Sequence, residues 1–277
     1  MKKIGVIGCG FVGSAVVEAF KVDHRVMVVD PAKFPKVQIG TLNEWEPDVV
    51  FICVPTPEGL DGAVDGSIVR QVLRDLEPGP LVVVKSTITP EYLIAQNMHK
   101  RIVFNPEFLT QRKASDDFLN PPFMIYGGDY ENSIEVHDIF MESRVNMPEM
   151  EHVAFCDIAS ACFVKYTLNC YLAMKVTFMN EIYQLHKMHC STSWDEFRSM
   201  LTLDPRMGKS HLQVPGPDGE FGFGGACFPK DTQAFAAFAR QNGKYLCLIE
   251  SAIRLNHITR GEEVTLPSLE NQENTFE

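Results

Sequence analysis

Residues 3–20 read KIGVIGCGFVGSAVVEAF, an apolar run, a glycine-rich turn and a helix-like segment in direct succession. The run from Lys3 to Ile7 is typical of a short buried strand, and the segment from Ser14 to Phe20 is typical of a helix. The turn between them has the spacing G-x-G-x-x-G, in which the glycines permit a tight turn, close approach of a pyrophosphate, and close packing of helix on strand. The stretch therefore predicts the first βα unit of a dinucleotide-binding domain. The residues predicted to contact the cofactor there are Gly8, Gly10, Phe11, Val12 and Gly13.

An acidic residue closes the second predicted strand, which runs from Arg25 to Val29. Asp30 stands about 20 residues beyond the glycines, where a carboxylate hydrogen-bonds the ribose 2′-hydroxyl of NAD and repels the 2′-phosphate of NADP. An incidental aspartate after a glycine turn is the alternative, and nearby Lys33 would tolerate a 2′-phosphate. We therefore predict NAD as the cofactor.

Four more apolar runs follow at the spacing of alternating strands and helices, and each suits a parallel sheet that is covered on both faces. They are Val49 to Val54, Leu81 to Lys85, Ile102 to Phe104 and Met124 to Tyr126. Ligands of such sheets bind beyond the carboxyl ends of the strands. The sequence thus predicts a ligand site where these runs end.

Polar motifs stand at three of those strand ends: VPTP at residues 54–57, KST at residues 85–87 and NPEFL at residues 105–109. The prolines among them also suit simple strand termination. Hydroxyl groups and a carboxylate at one edge of a sheet suit ligand binding and proton transfer, and Glu107 is predicted to orient water or accept a proton. The residues predicted to contact the cofactor here are Val54, Pro55, Thr56 and Thr87.

After Glu149 the sequence changes to nearly continuous helix. No glycine or proline occurs from Asp157, which suits an N-cap, to Met188, so we predict one helix far longer than the average. Lys165 and Asn169 stand four residues apart and leave one face of it together. Such a pair commonly lies on a solvated face, but the apolar neighbours here favour burial. We divide the chain into a nucleotide-binding domain, residues 1–150, a helical domain, residues 151–260, and an acidic tail, residues 261–277.

The segment with the most chemical content is GFGGACFPKD, residues 222–231. It joins a glycine-rich turn, which lets backbone approach a ligand closely, to a cysteine and a Lys-Asp pair. A thiolate is a strong nucleophile, and Lys230, one turn away, would help Cys227 to ionise. The alternative is a buried and inert cysteine beside a helix start.

The composition is that of a globular protein, with 277 residues of which 45% are hydrophobic. A formal charge of −11 disfavours attraction to nucleic acid or to anionic membranes. The eight cysteines form no CxxC pairs, which favours reduced thiols over disulfides or a metal site. The apolar run from Ile4 to Gly8 is too short and too rich in glycine for a secretory signal or a membrane span. We therefore predict a cytoplasmic protein without nucleic-acid, membrane or metal partners.

Taken in order, these motifs resemble the UDP-glucose/GDP-mannose 6-dehydrogenase family over nearly the whole chain, to about Arg260. The most specific motif is GFGGACFPKD, and it is supported by GCGFVG, VPTP, KST, NPEFL, the helix with Lys165 and Asn169, and PRMG at residues 205–208. The resemblance implies an α/β fold, a Rossmann-type doubly wound parallel sheet followed by an all-helical middle domain whose long spine helix forms a homodimer. It also implies a short form, since the sequence ends shortly after Asn256, where the family's C-terminal nucleotide-binding domain would begin.

The family's reaction oxidises the C6 alcohol of a nucleotide sugar to a carboxylate with two NAD+, so the resemblance implies a UDP- or GDP-sugar as the substrate, with UDP-glucose favoured and the sugar and base left open by the sequence. Cys227 would capture the aldehyde as a thiohemiacetal, and the second hydride transfer would leave a thioester that water hydrolyses. Covalent capture keeps the aldehyde from escaping between the two oxidations.

The resemblance also assigns the other catalytic roles. Lys165 and Asn169 match the residues that stabilise the oxyanion, a task that requires fixed geometry. Asp231 and Glu107 match the carboxylates that position water and accept protons, with Thr87 assisting.

Arg206 matches an arginine that reaches the nucleotide sugar of the neighbouring subunit, so the resemblance implies a site that is complete only in a dimer. Lys230 is predicted to contact the cofactor. The other residues predicted to contact the substrate are Glu107, Phe108, Leu109, Lys165, Asn169, Phe223 and Gly224.

Two other functions remain open at this point. A 3-hydroxyacid-type dehydrogenase transfers one hydride, shares the two-domain architecture and also uses a lysine and an asparagine four residues apart, but it has no use for Cys227. A non-catalytic nucleotide-sugar or NAD-binding protein would need none of the catalytic positions, whereas all the matched ones are occupied here.

Overall fold

The structure is a computed structural model that describes residues 1–94, 101–109 and 113–262. It divides into two compact units. The first comprises residues 1–57 and 64–165, and the second comprises residues 58–63 and those from 166 onward. This division lies after the predicted one at residue 150, because a strand and the start of the long helix pack with the first unit. Most of the predicted acidic tail, residues 263–277, lies outside the described residues.

A seven-stranded sheet forms the centre of the first unit as described. The strands are β1 (Lys3–Ile7), β2 (Arg25–Val29), β3 (Val49–Ile52), β4 (Leu81–Val84), β5 (Ile102–Phe104), β6 (Met124–Gly128) and β7 (Val153–Cys156). Their order across the sheet is β2-β1-β3-β4-β5-β6-β7, and neighbours are parallel except for β5 and β6. The predicted Rossmann-type fold class is confirmed.

Two features of the sheet differ from the sequence prediction. Strand β6 runs antiparallel to β5, and the described residues of the connection contain the NPEFL loop and a short helix, Ala114–Leu119. Strand β7 was missed within the segment predicted to be helical. It has four residues, and it adds to the sheet only through its pairing with β6.

The helices of the first unit cover the faces of this sheet. They are α1 (Phe11–Phe20), α2 (Ile39–Glu44), α3 (Ser67–Asp75), α4 (Glu91–Ile94), α5 (Ala114–Leu119) and α6 (Tyr130–Met141). Every residue of β3 and β4 is buried, which explains their continuous apolar sequences. The rings of Phe20, Phe51 and Phe140 pack together in the core, with centroids 5.2 and 5.3 Å from Phe20 to the other two.

The predicted long helix is confirmed as α7 (Ile158–His189), which begins in the first unit and continues into the second. Its start is capped as predicted, since Oδ1 of Asp157 accepts a hydrogen bond from the Ser160 amide at 2.9 Å. The second unit adds α8 (Trp194–Leu201), α9 (Phe228–Gln241) and α10 (Cys247–Arg260). Among the described helices, none combines the length and the apolar character that a membrane span requires.

Candidate functional site

The glycine-rich turn lies between β1 and α1 and leaves room for a ligand. Gly8 has φ of +88°, and a Cβ there would lie 2.6 Å from the carbonyl oxygen of Cys53. A Cβ on Gly13 would lie 1.9 Å from the Gly8 oxygen, so helix and strand pack closely only because both are glycines. A Cβ on Gly10 would meet nothing within 4 Å, so the N-terminus of α1 stays open to an anionic group.

The turn also occupies the switch point of the sheet. From β1 the chain proceeds to β2 on one side, while β3 pairs with β1 on the other side. The connections therefore diverge at β1, and a crevice forms beyond the carboxyl ends of β1 and β3. Val54 and Thr56, which follow β3, are buried, and Ser86 ties the loops together through a hydrogen bond from Oγ to the Val54 oxygen at 2.7 Å.

Asp30 is fixed beside the glycine turn by three backbone amides. Its Oδ2 accepts from the Cys9 amide at 2.7 Å, and its Oδ1 accepts from Ala32 at 3.0 Å and Lys33 at 3.2 Å. These bonds, that of Cys9 foremost, hold the pKa of Asp30 below its usual value. A carboxylate offers about four acceptor sites, so Oδ2 can still accept a ribose hydroxyl. The Lys33 ammonium donates to the Cys9 oxygen.

Lys85 organises the carboxyl ends of β4 and β5, and sequence reasoning assigned it no role. Its ammonium is buried and donates to Oδ1 and O of Asn105 at 2.8 and 3.1 Å, while Nδ2 of Asn105 donates to the Ile125 oxygen at 2.8 Å. Burial lowers the pKa of Lys85 to about 8. The network fixes the start of the NPEFL loop. Thr87, two residues after Lys85, is half-buried.

The first unit brings Lys165 against the NPEFL loop. The side chain is 3% exposed, donates to the carbonyl oxygen of Glu107 and lies 5.0 Å from the ring centroid of Phe108. The Glu107 carboxylate accepts from the Leu109 amide at 3.0 Å, so a hydrogen bond within the loop stabilises its conformation. A buried ammonium with two remaining donors is a strong stabiliser of a developing negative charge.

The second unit gathers Cys227, Asn169, Lys230 and Asp231 at the start of α9. Cys227 is exposed at the N-cap, and its oxygen accepts the first intrahelical bond from Asp231 at 2.9 Å. The Asp231 carboxylate is 1% exposed, accepts from Nδ2 of Asn169 at 2.6 Å and forms an ion pair with Lys230. A helix N-terminus favours negative charge, which suits a thiolate at Cys227.

Other cysteines of the chain have the opposite surroundings. Burial raises the pKa of the Cys53 and Cys170 thiols to about 12, and it also raises the pKa of Cys162. These three side chains stay protonated near neutral pH and are poor nucleophiles. Cys227 and Cys190 are exposed, and of these two only Cys227 stands at the N-terminus of a helix.

The residues predicted to contact substrate in the second unit are not all gathered. Phe223 is buried in the loop before Cys227, and Gly224 is half-buried beside it. Arg206 has a side chain that is 88% exposed and paired with Asp204, and no contact to the other predicted substrate residues is seen among the described residues.

Two further asparagines in helices, Asn180 and Asn256, hold this loop, and sequence reasoning missed the role of both. The available signal was weak: asparagine is a poor residue for a helix interior, but this does not reveal its partner.

Comparison with known proteins identifies both units. Residues 41–143 match the NAD binding domain of the UDP-glucose/GDP-mannose dehydrogenase family, and residues 159–258 match its central domain. A UDP-glucose 6-dehydrogenase of Rhizobium meliloti is 30% identical, over 92% of this chain and 67% of its own length. The chain thus spans about two thirds of that relative. The predicted cofactor, NAD, is confirmed.

Solved structures share the fold. A UDP-glucose dehydrogenase from the archaeon Pyrobaculum islandicum superposes with a TM-score of 0.79 at 24% identity, covering 93% of this chain and 68% of its own. A 3-hydroxyisobutyrate dehydrogenase of Mycobacterium tuberculosis superposes with a TM-score of 0.68 at 18% identity, covering 91% of each chain. The fold by itself therefore does not distinguish a nucleotide-sugar dehydrogenase from a hydroxyacid dehydrogenase.

Proposed function

This chain belongs to the UDP-glucose/GDP-mannose dehydrogenase family, and from that premise we propose that it oxidises the C6 alcohol of a nucleotide sugar, UDP-glucose, to the uronic acid. The observation that carries the proposal is the exposed Cys227 at the N-terminus of α9, one turn from the buried pair of Asn169 and Asp231. An alcohol dehydrogenase that stops at the carbonyl needs no nucleophile. A two-stage oxidation to an acid does need one, because the aldehyde must be converted into a species that can lose a second hydride.

In the first oxidation the C6 hydroxyl loses its proton to a base and C6 loses a hydride, which gives the aldehyde. NAD+, when bound, accepts one hydride in each of the two oxidations. After the first, the Cys227 thiolate adds to the aldehyde carbon and the carbonyl oxygen becomes an alkoxide. Loss of the second hydride from that carbon leaves a thioester. Water then attacks the thioester carbon and gives its two protons to bases and to solvent, the C–S bond breaks, and the carboxylate and the thiolate are released.

The side chains around this chemistry have separate tasks. Lys165 and Asn169 stand one turn apart on α7, and both are buried and held by hydrogen bonds, so their donors are oriented before the alkoxide forms. Asp231 fixes the Asn169 amide and, with Glu107, is proposed to accept a proton from water. Thr87 assists with its hydroxyl.

The cofactor and the substrate are held by different groups. We assign NAD to the glycine turn, to Asp30 and to the residues that follow β3, and we include Lys230 as a cofactor contact. Phe108, Leu109, Phe223 and Gly224 are proposed to contact the substrate.

We also propose a homodimer formed through α7. Tyr171, Phe178 and Leu185 recur every seven residues, so they share one helix face, and they are 53%, 54% and 57% exposed. Large apolar side chains repeated along one exposed face suit packing against a second copy of the helix. In such a dimer the exposed Arg206 would reach the substrate of the partner subunit.

The proposal is tested by product stoichiometry. The purified chain is supplied with NAD+ and a panel of UDP- and GDP-sugars, and NADH and product are measured together. Two NADH per uronic acid are expected. One NADH per carbonyl product would instead identify a hydroxyacid-type dehydrogenase, and NAD+ binding without turnover on any sugar would identify a binding protein.

A further inference from the structure

Asn256 on α10 forms two hydrogen bonds with the backbone just before Cys227. Oδ1 of Asn256 accepts from the Phe223 amide at 2.6 Å, and its Nδ2 donates to the Phe223 oxygen at 2.9 Å. Asn256 is 5% exposed and Phe223 is 3% exposed, so these bonds form away from water. A primary amide is the side chain group that can donate and accept at once in this way.

A second asparagine, on α7, holds the preceding residue. Oδ1 of Asn180 accepts from the Gly222 amide at 3.0 Å, while its Nδ2 donates to the Val176 oxygen of its own helix at 2.8 Å. The bond to Val176 fixes the orientation of the amide, so the oxygen must face Gly222. Asn180 is 7% exposed.

The loop is shaped to receive these side chains. Gly222 has φ of +77°, and a Cβ there would lie 2.4 Å from Oδ1 of Asn256. From Phe223 to Cys227 the chain passes through Gly224 and Gly225, which have no side chains that could pack and restrain it. Cys227 caps α9 and lies four residues beyond Phe223, so an anchor at Phe223 restrains Cys227 from its N-terminal side.

We propose that Asn256 and Asn180 are positioning residues, an amide clamp that fixes Gly222 and Phe223 and thereby holds Cys227 at the N-terminus of α9. The inference rests on the proposed function of Cys227 as the nucleophile. The two asparagines touch neither substrate nor cofactor in this role. They act through the loop backbone, because a thiolate gains from the helix N-terminus only while it stays at the cap.

The test compares Asn256→Ala, Asn180→Ala and Asn256→Asp with a control on the same helix. Asn256→Asp keeps the shape of the side chain and the acceptor but loses the donor to Phe223. It replaces the alanine variants in the test if those fail to fold. The control is Glu250→Gln, which weakens a buried ion pair to Arg240, 2.7 Å long, that joins α10 to α9 away from the loop. Alkylation of Cys227 by iodoacetamide is followed against pH by peptide mass spectrometry, together with the thermal midpoint and with kcat and KM.

The clamp variants are expected to shift the pH midpoint of Cys227 alkylation upward, toward the value of about 8.5 of an ordinary thiol. Their kcat should fall on the order of 10- to 100-fold, the usual effect of a misplaced reacting group, with KM for NAD+ unchanged. Glu250→Gln should lower the thermal midpoint and leave the pH midpoint of Cys227 alkylation and kcat as in wild type. An unchanged alkylation profile in folded clamp variants would overturn the proposal.

The alkylation readout does not require turnover. If wild type oxidises no nucleotide sugar, the proposed function fails, and the alkylation profiles still decide whether the asparagines position Cys227.

Discussion

Nδ2 of Asn169 donates a hydrogen bond to Oδ2 of Asp231 at 2.6 Å and thereby joins α7 to the first turn of α9. The carboxylate is 1% exposed, and its other oxygen pairs with Lys230. A buried carboxylate that accepts from two sides determines which end of the Asn169 amide points toward it. The hydrogen bond therefore fixes the orientation of the Asn169 amide, which is proposed to bind the oxyanion.

Replacing that carboxylate by an amide tests its orienting role. Asp231→Asn keeps the shape of the side chain but leaves one acceptor oxygen and no charge, so Asn169 and Lys230 can no longer both be bound and the Asn169 amide is held less firmly. We expect kcat to fall on the order of 100-fold with KM for NAD+ unchanged, because an oxyanion donor is misdirected. Steady-state kinetics of Asp231→Asn are compared with those of a control, Asp195→Asn. The Asp195 side chain lies on α8 and is 82% exposed. Equal kcat values for the two variants would refute the orienting role.

The second prediction concerns the nucleophile. Cys227→Ser should lower the rate of acid formation at least roughly 10³-fold while NAD+ binding survives, because a serine hydroxyl is poorly ionised and its ester is harder to hydrolyse than a thioester. Intact-mass analysis after a single turnover should show a sugar adduct on wild type. Cys190→Ser, at the other exposed cysteine, should behave as wild type. Undiminished acid formation by Cys227→Ser, with no adduct on either protein, would make the thiol structural.

The third prediction assigns cofactor selection to the charge of Asp30. Its pKa is held below the usual value by backbone hydrogen bonds, so the carboxylate is ionised at neutral pH and faces any 2′-phosphate as a like charge. Asp30→Asn keeps an acceptor for Cys9 and removes the charge. We expect wild type to prefer NAD+ strongly and the variant to improve with NADP+ by roughly tenfold. Comparable kcat/KM values of wild type for both cofactors would contradict the assignment.

The proposed homodimer depends on the apolar face of α7. Phe178→Arg places a charge in the middle of the stripe and should convert a dimer into a monomer, because an unpaired charge in an apolar interface is costly. Sedimentation velocity measures the change. Tyr130→Arg, at a side chain that is 64% exposed in the first unit, is the control and should remain dimeric. Wild type that sediments as a fully active monomer would remove the proposal.

Stability should depend on pH through Lys85. Burial lowers its pKa from 10.5 to about 8, so between these values the unfolded chain binds more protons than the folded one. Stability from this group therefore rises with pH across that window, and the cost of a buried charge is complete below about pH 8. Urea unfolding of wild type and Lys85→Met measures the free energy of unfolding. That of wild type should rise relative to that of the variant as pH increases, by on the order of 1 kcal/mol per pH unit. Parallel curves would mean that Lys85 titrates normally.

Local features were predictable because each depends on a short run of consecutive residues. The glycine turn after β1 requires close approach and positive φ at fixed positions, so its spacing identified the fold and the cofactor. Helix α7 was predictable from a run without helix breakers.

What the tertiary structure decided was the partners of buried polar groups. Asn256 is 33 residues from Phe223, Lys85 is 20 residues from Asn105, and Asn169 is 62 residues from Asp231, and no local pattern links the members of any pair. The sequence determined which residues are proposed to carry the chemistry, because nucleophiles and glycine turns are properties of short segments. The packing of distant segments determined how those residues are held, because a buried donor is stable only where folding brings an acceptor to it.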